Sequence, residues 1–248
     1  MEKRLIARGA LAGALGAVLA FVFGRLFAEP VIGRAIEFEE ARIEAAHAQG
    51  VHEHGAELFS RGVQGNAGLG FGVLIFGIAM GALFAVVFCV YYPRSGRVAP
   101  QSLSLRLAAA AFIAVYLVPF LKYPPNPPAV GQADTIGSRT LWFVVMVLAS
   151  IGLAVGAVWL ARHLVARFGA FNARLLAAGA YVAAAVAVAL VLPSVAEVPP
   201  GFPAEDLYEF RLVSLGTQLV LWTGLGLVFA VLAGRLLDAG TRTQSVGV

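Results

Sequence analysis

The sequence predicts an all-α integral membrane protein, a bundle of six transmembrane helices with both termini cytoplasmic. Three observations lead there. Sixty per cent of the 248 residues are hydrophobic and only 13% are charged, too few polar groups to coat a soluble domain of this length. Apolar runs recur, each long enough for the roughly 20 residues that a bilayer core requires. The segments between those runs alternate in charge. The whole chain, 1–248, reads as one transmembrane domain.

The first span, Leu5–Phe27, follows a basic start, MEKRLIARG. That opening resembles a signal peptide, but Leu26-Phe27-Ala28 is a poor small-x-small cleavage site and Glu29-Pro30 follows at once, so an uncleaved helix is expected. The second span, Gly68–Tyr91, holds the single cysteine, Cys89, which rules out an intrachain disulfide. The third, Leu105–Leu121, is the shortest and carries Pro119 near its end. Leu141–Ala161, Leu175–Leu192 and Leu212–Gly234 complete the set. Small residues four apart, at Gly9 and Gly13, Gly68 and Gly72, Gly77 and Gly81, and Gly152 and Gly156, are read as tight helix packing.

Orientation comes from the basic residues. The N-terminus, the second and fourth loops and the C-terminus hold eleven of the 18 Lys and Arg, with Glu2 and Asp238 as their only acids. The other set, Arg25 near the outer end of span one included, carries the remaining seven basic residues and twelve acids. By the positive-inside rule the first set is cytoplasmic, and loops 29–67, 122–140 and 193–211 are extracytoplasmic. Basic residues scattered singly at the ends of apolar runs set orientation and do not form a nucleic-acid surface.

The first external loop carries the most chemistry. Its helical segment places Glu37, Glu40, Glu44 and His47 at i, i+3, i+7 and i+10, one stripe of a helix face. Gly50 then precedes His52-Glu53-His54, with Glu57 one turn beyond. Imidazole and carboxylate suit divalent first-row metals, so Glu44, His47, His52, His54 and Glu57 form a candidate ligand set. A solvated polar helix would show the same pattern. His163, beside Arg162, reads as an interfacial residue.

The third loop opens with KYPPNPPAV, four prolines in five positions. No helix passes through that spacing. Two readings stand: a rigid corner between spans three and four, or a row of carbonyls lining a cation path. Lys122 and Asn126 are the polar groups there, and the lysine is placed to snorkel. The fifth loop is again Pro-rich and acidic (Glu197, Glu205, Asp206, Glu209), which makes the external face negative and raises the local cation concentration. Within the spans, Thr217 and Gln218 are the deepest polar groups, with Gln64 and Asn66 entering span two; Arg25 is expected to snorkel or pair with Glu29. No phosphate-binding Gly-x-x-x-x-Gly-Lys loop, His-Glu-x-x-His, Gly-x-Ser-x-Gly or spaced Cys pair occurs, so no enzyme class is indicated.

Four stretches together, EPVIGRAIEFEEA, FSRGVQ, KYPPNPPAVGQADTIGSRT and EVPPGFPAEDLYEFRLVSLGTQLVLW, resemble the CbtA family of bacterial predicted cobalt transporter subunits. The resemblance covers nearly the full length. It implies a multi-pass subunit of the bacterial inner membrane tied to cobalt supply for cobalamin synthesis. Cobalt(II) is then the expected cargo, with no permanently bound cofactor and a small single-span CbtB-like partner. Family members tend to carry histidines after the Glu-Glu-Ala stretch, matched here by His47, His52 and His54. A homo-oligomer is compatible with this reading. The other reading is a non-transporting scaffold or partner-delivery subunit.

Overall fold

The computed structural model describes residues 2–48, 68–96, 98–128 and 130–245. Among the described residues every regular element is helical. Five helices are long and apolar enough to cross a membrane: α1, Glu2–Ala48; α2, Leu69–Tyr91; α3, Pro100–Lys122; α4, Ile136–Val191; and α5, Ala204–Ser245. The chain divides into two compact units. The first contains Met1–Ala109, Pro127–Ala129 and Pro203–Val248; the second contains Ala110–Asn126 and Val130–Phe202.

The first unit is built around α1. At 47 residues α1 would extend about 70 Å, more than twice a hydrocarbon core. The apolar pattern ends the span at Phe27, yet the helix continues through Pro30 to Ala48. Proline removes one helical N–H, leaving the Leu26 carbonyl without its usual donor. The Ala- and Glu-rich segment beyond favours helix, and Val31 and Ala35, one turn apart, are fully buried.

Two close-packed seams run along α1. Gly9 lies against the Gly81 carbonyl and Gly13 against the Gly77 carbonyl, a register that runs α1 antiparallel to α2. A Cβ on Gly77 would come 2.5 Å from the Ala17 Cβ. On the other seam Gly16 meets Leu221 and Gly224, Gly216 meets Phe23, and the Arg8 guanidinium donates to the Leu232 carbonyl, so α5 is also antiparallel. The start of α1 and the end of α5 therefore share one end of this unit. Gln101, early in α3, meets Gly234 at that same end. Phe84 and Phe88 of α2 pack edge-on against Phe229 at 5.2 and 5.1 Å, closing the core.

The second unit begins in the later half of α3. Residues Phe112–Leu117 form a π-helical stretch, with the Val118 amide bonded to the Ile113 carbonyl. A proline ring clashes with the carbonyl four residues before it, and the wider turn just ahead of Pro119 relieves that contact.

Helix α4 contains one non-helical residue, Gly169, at φ 74° and ψ 164°. This is backbone that only glycine adopts readily. The Ser150 and Tyr181 hydroxyls are 2.8 Å apart, although a straight helix would separate those residues by about 46 Å. The chain therefore reverses at Gly169, and 136–168 and 170–191 lie side by side. The segments Leu141–Ala161 and Leu175–Leu192, expected as two spans, fall along the two helical arms of what is one of the five candidate membrane-crossing helices. The cytoplasmic loop expected between them is helical on both sides of a one-residue break.

Candidate functional site

The predicted ligand residues fall partly inside the described structure. Glu37, Glu40, Glu44 and His47 lie along the last turns of α1, all exposed. His52, His54 and Glu57 lie outside the described residues, as do Gln64 and Asn66. Among the described residues no group of three or more His, Cys, Asp or Glu side chains is gathered closely enough to hold a metal ion. Helical continuity thus displays Glu37, Glu40, Glu44 and His47 as a row along a rod, without closing a cage.

One turn before that row, sequence reasoning missed a charge cluster. Arg34 Nε donates to Asp206 Oδ1 at 2.6 Å, and its Nη2 donates to Glu209 Oε2. The two carboxylates stand one turn apart at the start of α5. These bonds, Asp206 first, raise the Arg34 pKa above its ordinary value. The available signal was a single arginine in an acidic helical segment, but its partners lie 172 and 175 residues away. The cluster ties the extension of α1 to the start of α5 within the first unit.

In the second unit the residues at the entrance to the proline block are bonded to 193–197. The Tyr123 hydroxyl donates to the Pro193 carbonyl at 2.7 Å. Lys122 Nζ lies 3.5 Å from Ser194 Oγ and over the Tyr123 ring. Further along the chain the Gln132 amide donates to Glu197 at 3.2 Å, and Arg139 Nε pairs with the same carboxylate at 3.4 Å. The Thr135 side chain first, then the Gln132 amide and Arg139, hold the Glu197 carboxyl below the usual glutamate range. No described peptide bond is cis. Asn126 is half-buried within this segment. Lys122 is thus part of a cross-braced corner in which Lys122, Tyr123, Gln132 and Arg139 meet 193–197.

The remaining polar candidates lie on helices. Thr217 returns its hydroxyl to the Val213 carbonyl at 2.9 Å. Gln218 is half-buried on α5. One turn on, the Trp222 indole N–H is buried without a hydrogen-bond partner, a donor that sequence reasoning did not single out. His163 Nδ1 lies 2.9 Å from the Trp159 carbonyl, and its ring packs on Trp159 at 4.0 Å.

Comparison with known proteins adds one finding. The family model described as "Probable cobalt transporter subunit (CbtA)" matches residues 2–234. No curated protein matches the chain, and no solved structure does.

Proposed function

The chain belongs to the CbtA family of probable cobalt transporter subunits, and from that premise we propose that it is the membrane subunit of a cobalt(II) uptake system supplying cobalamin synthesis. In this reading the chain crosses the bacterial inner membrane six times, with both termini cytoplasmic. The reversal at Gly169 supports the count, and the shared end of α1 and α5 supports placing both termini on one side. The charge sorting assigns that side to the cytoplasm.

The observation that carries the capture step is the extension of α1. A helix braced by Arg34 projects the exposed row Glu37, Glu40, Glu44 and His47, directly before His52, His54 and Glu57 in sequence. A negative face concentrates divalent cations, and transient imidazole and carboxylate ligands hand them on. Such ligands do not themselves select cobalt over nickel, copper or zinc. Selectivity then rests on geometry, on metal availability or on a small single-span CbtB-like partner. Cobalt is cargo here; the subunit is neither catalytic nor the holder of a permanent cofactor.

The test is radiolabelled cobalt uptake in cells with and without the subunit pair, then with His47, His52 and His54 changed to alanine. Uptake independent of the pair removes the transport role, and undiminished uptake in the triple variant removes the role of the loop.

A second reading, a scaffold that delivers or holds a transporting partner, is favoured by one observation. The apolar windows of the candidate spans contain no Asp or Glu able to relay protons or hold a cation at membrane depth. Purified protein in liposomes separates the two. Metal flux by this chain alone supports the first reading; flux that begins only when a partner is added supports the second.

A further inference from the structure

We propose that one face of α5 lines a water-filled vestibule, which enters the first unit from the start of that helix and stops at Trp222, midway across the bilayer. The order of residues along the face carries the proposal. Arg211, Ser214, Gln218 and Trp222 stand at i, i+3, i+7 and i+11, a single stripe of polar groups. The same stripe continues as Leu225, Phe229, Ala233 and Leu236, all apolar and all buried. Polarity thus changes once along the face, at Trp222.

The stripe points into the unit and away from lipid. Phe229 meets Phe84 and Phe88 of α2, and Gly226, one turn beyond Trp222, lies against Ala108 of α3. The lipid-facing side of α5 is marked instead by the exposed Leu212, Leu219, Leu227 and Val231. Arg211 heads the stripe and is engaged in an interaction of its own. Ser214 and Gln218 are half-buried, and Trp222 is only 4% exposed. With the crossing begun at Leu212, Trp222 lies about 15 Å into a core of about 30 Å. There its indole N–H is buried with no hydrogen-bond partner among the described residues. An unmet donor is costly in a dry interior, and a water bridging it to the Gln218 amide one turn earlier removes that cost. Between Glu209 and Asp238 the sequence contains no Asp or Glu. A stripe rich in donors and free of carboxylates suits water oxygens and does not suit a dehydrated metal cation, so this is a solvent space and not a second metal site. Past Trp222 the stripe offers water no polar side chain, and the Phe229 ring, edge-on to Phe84 and Phe88, closes the vestibule with a dry aromatic layer.

The vestibule rests on α5 crossing the membrane and not on cobalt uptake, and its test reads no metal. In a Cys89→Ser background, single cysteines are placed along α5 of the full-length chain in sealed vesicles. A charged, membrane-impermeant methanethiosulfonate reagent is added, which reacts with thiolates in water. Ala204→Cys reports the side of the membrane that the start of α5 faces. From that side Ser214→Cys and Gln218→Cys should react. Their rates should exceed that of Leu219→Cys by about tenfold or more, since a thiol held in hydrocarbon loses about a factor of ten for each unit its pKa rises. Leu225→Cys and Ala233→Cys should stay unmodified.

Unreactive Ser214→Cys and Gln218→Cys overturn the proposal, and so does reaction at Leu219→Cys as fast as theirs. Equal reaction at Leu225→Cys overturns the closure at the aromatic layer. A second measurement leaves the stripe unaltered. In wild type carrying isotope at the indole nitrogens, the resonance that Trp222→Phe removes should receive magnetisation from water. An indole N–H at Trp222 that receives none overturns the proposal.

Discussion

The two units are made from similar residues but packed very differently. Over the apolar window of α5, in the first unit, 56% of the segment is buried within the chain; over that of α4, in the second, only 11% is. Both contain glycines four apart. At Gly9, Gly13, Gly77 and Gly81 an added Cβ would strike a neighbouring helix, whereas at Gly152 and Gly156 it would meet nothing within 4 Å. Equal spacing has thus produced a closed seam at Gly9, Gly13, Gly77 and Gly81, and open helix surface at Gly72 of the same unit and at Gly152 and Gly156 of the other. Small residues permit close approach, but burial requires a second helix arriving at the right register.

The largest way to break this contrast is Gly13→Leu. Its side chain would enter the Gly77 backbone, which cannot move aside as a flexible side chain would. A loss of about 3 kcal/mol or more is expected from such overpacking, measured as unfolding in mixed micelles. A stable Gly13→Leu protein would show that the seam is not under packing constraint.

The hairpin of the second unit has one interhelical polar contact to test, Ser150 with Tyr181. A double-mutant cycle with Ser150→Ala and Tyr181→Phe should give a coupling of about 0.6 kcal/mol, typical of hydrogen bonds between membrane helices. Zero coupling would leave the fold-back to apolar packing and Gly169 alone.

The polar braces of the two units differ in kind. Arg34→Gln should speed amide exchange along 31–48, and exchanging the charges, Arg34→Asp with Asp206→Arg, should restore part of the protection. At the proline corner the effect depends on pH. Because the Glu197 carboxyl titrates below its ordinary value when folded, its contribution is present above the unfolded value and lost as pH falls through the folded one. Amide exchange of 130–139 should therefore accelerate as pH falls below the ordinary glutamate range, and Glu197→Gln should remove that pH dependence. The smallest effect belongs to Gly156→Leu, expected within about 0.5 kcal/mol of wild type because the site is open.

Much of the helical layout was legible in the residues, and the departures share a cause. The span expected from Gly68 falls on a helix that begins at Leu69, and the segment expected over Leu105–Leu121 lies within the helix Pro100–Lys122. Hydropathy marks where a helix must avoid water, so it ended the first span at Phe27 and placed a loop between Ala161 and Leu175. It does not mark where a helix stops. Ala, Glu and Arg are good helix formers, and both segments stay helical apart from Gly169. Of the candidate site, the row Glu37, Glu40, Glu44 and His47 follows from helical spacing alone. The partner of Arg34 could not be read, since Asp206 and Glu209 are distant in sequence. Nor could the bonding of Lys122 and Tyr123 to the fifth loop.

Membrane character, the apolar runs and the alternation of charge between them are sums of single-residue preferences for lipid or water, and they are settled before any helix meets another. Which glycine pairs close a seam, which carboxylates Arg34 holds, and the reversal that turns 56 helical residues into two side-by-side arms belong to the tertiary structure. They depend on contacts between residues far apart in the chain, and no local pattern encodes which of the possible contacts form.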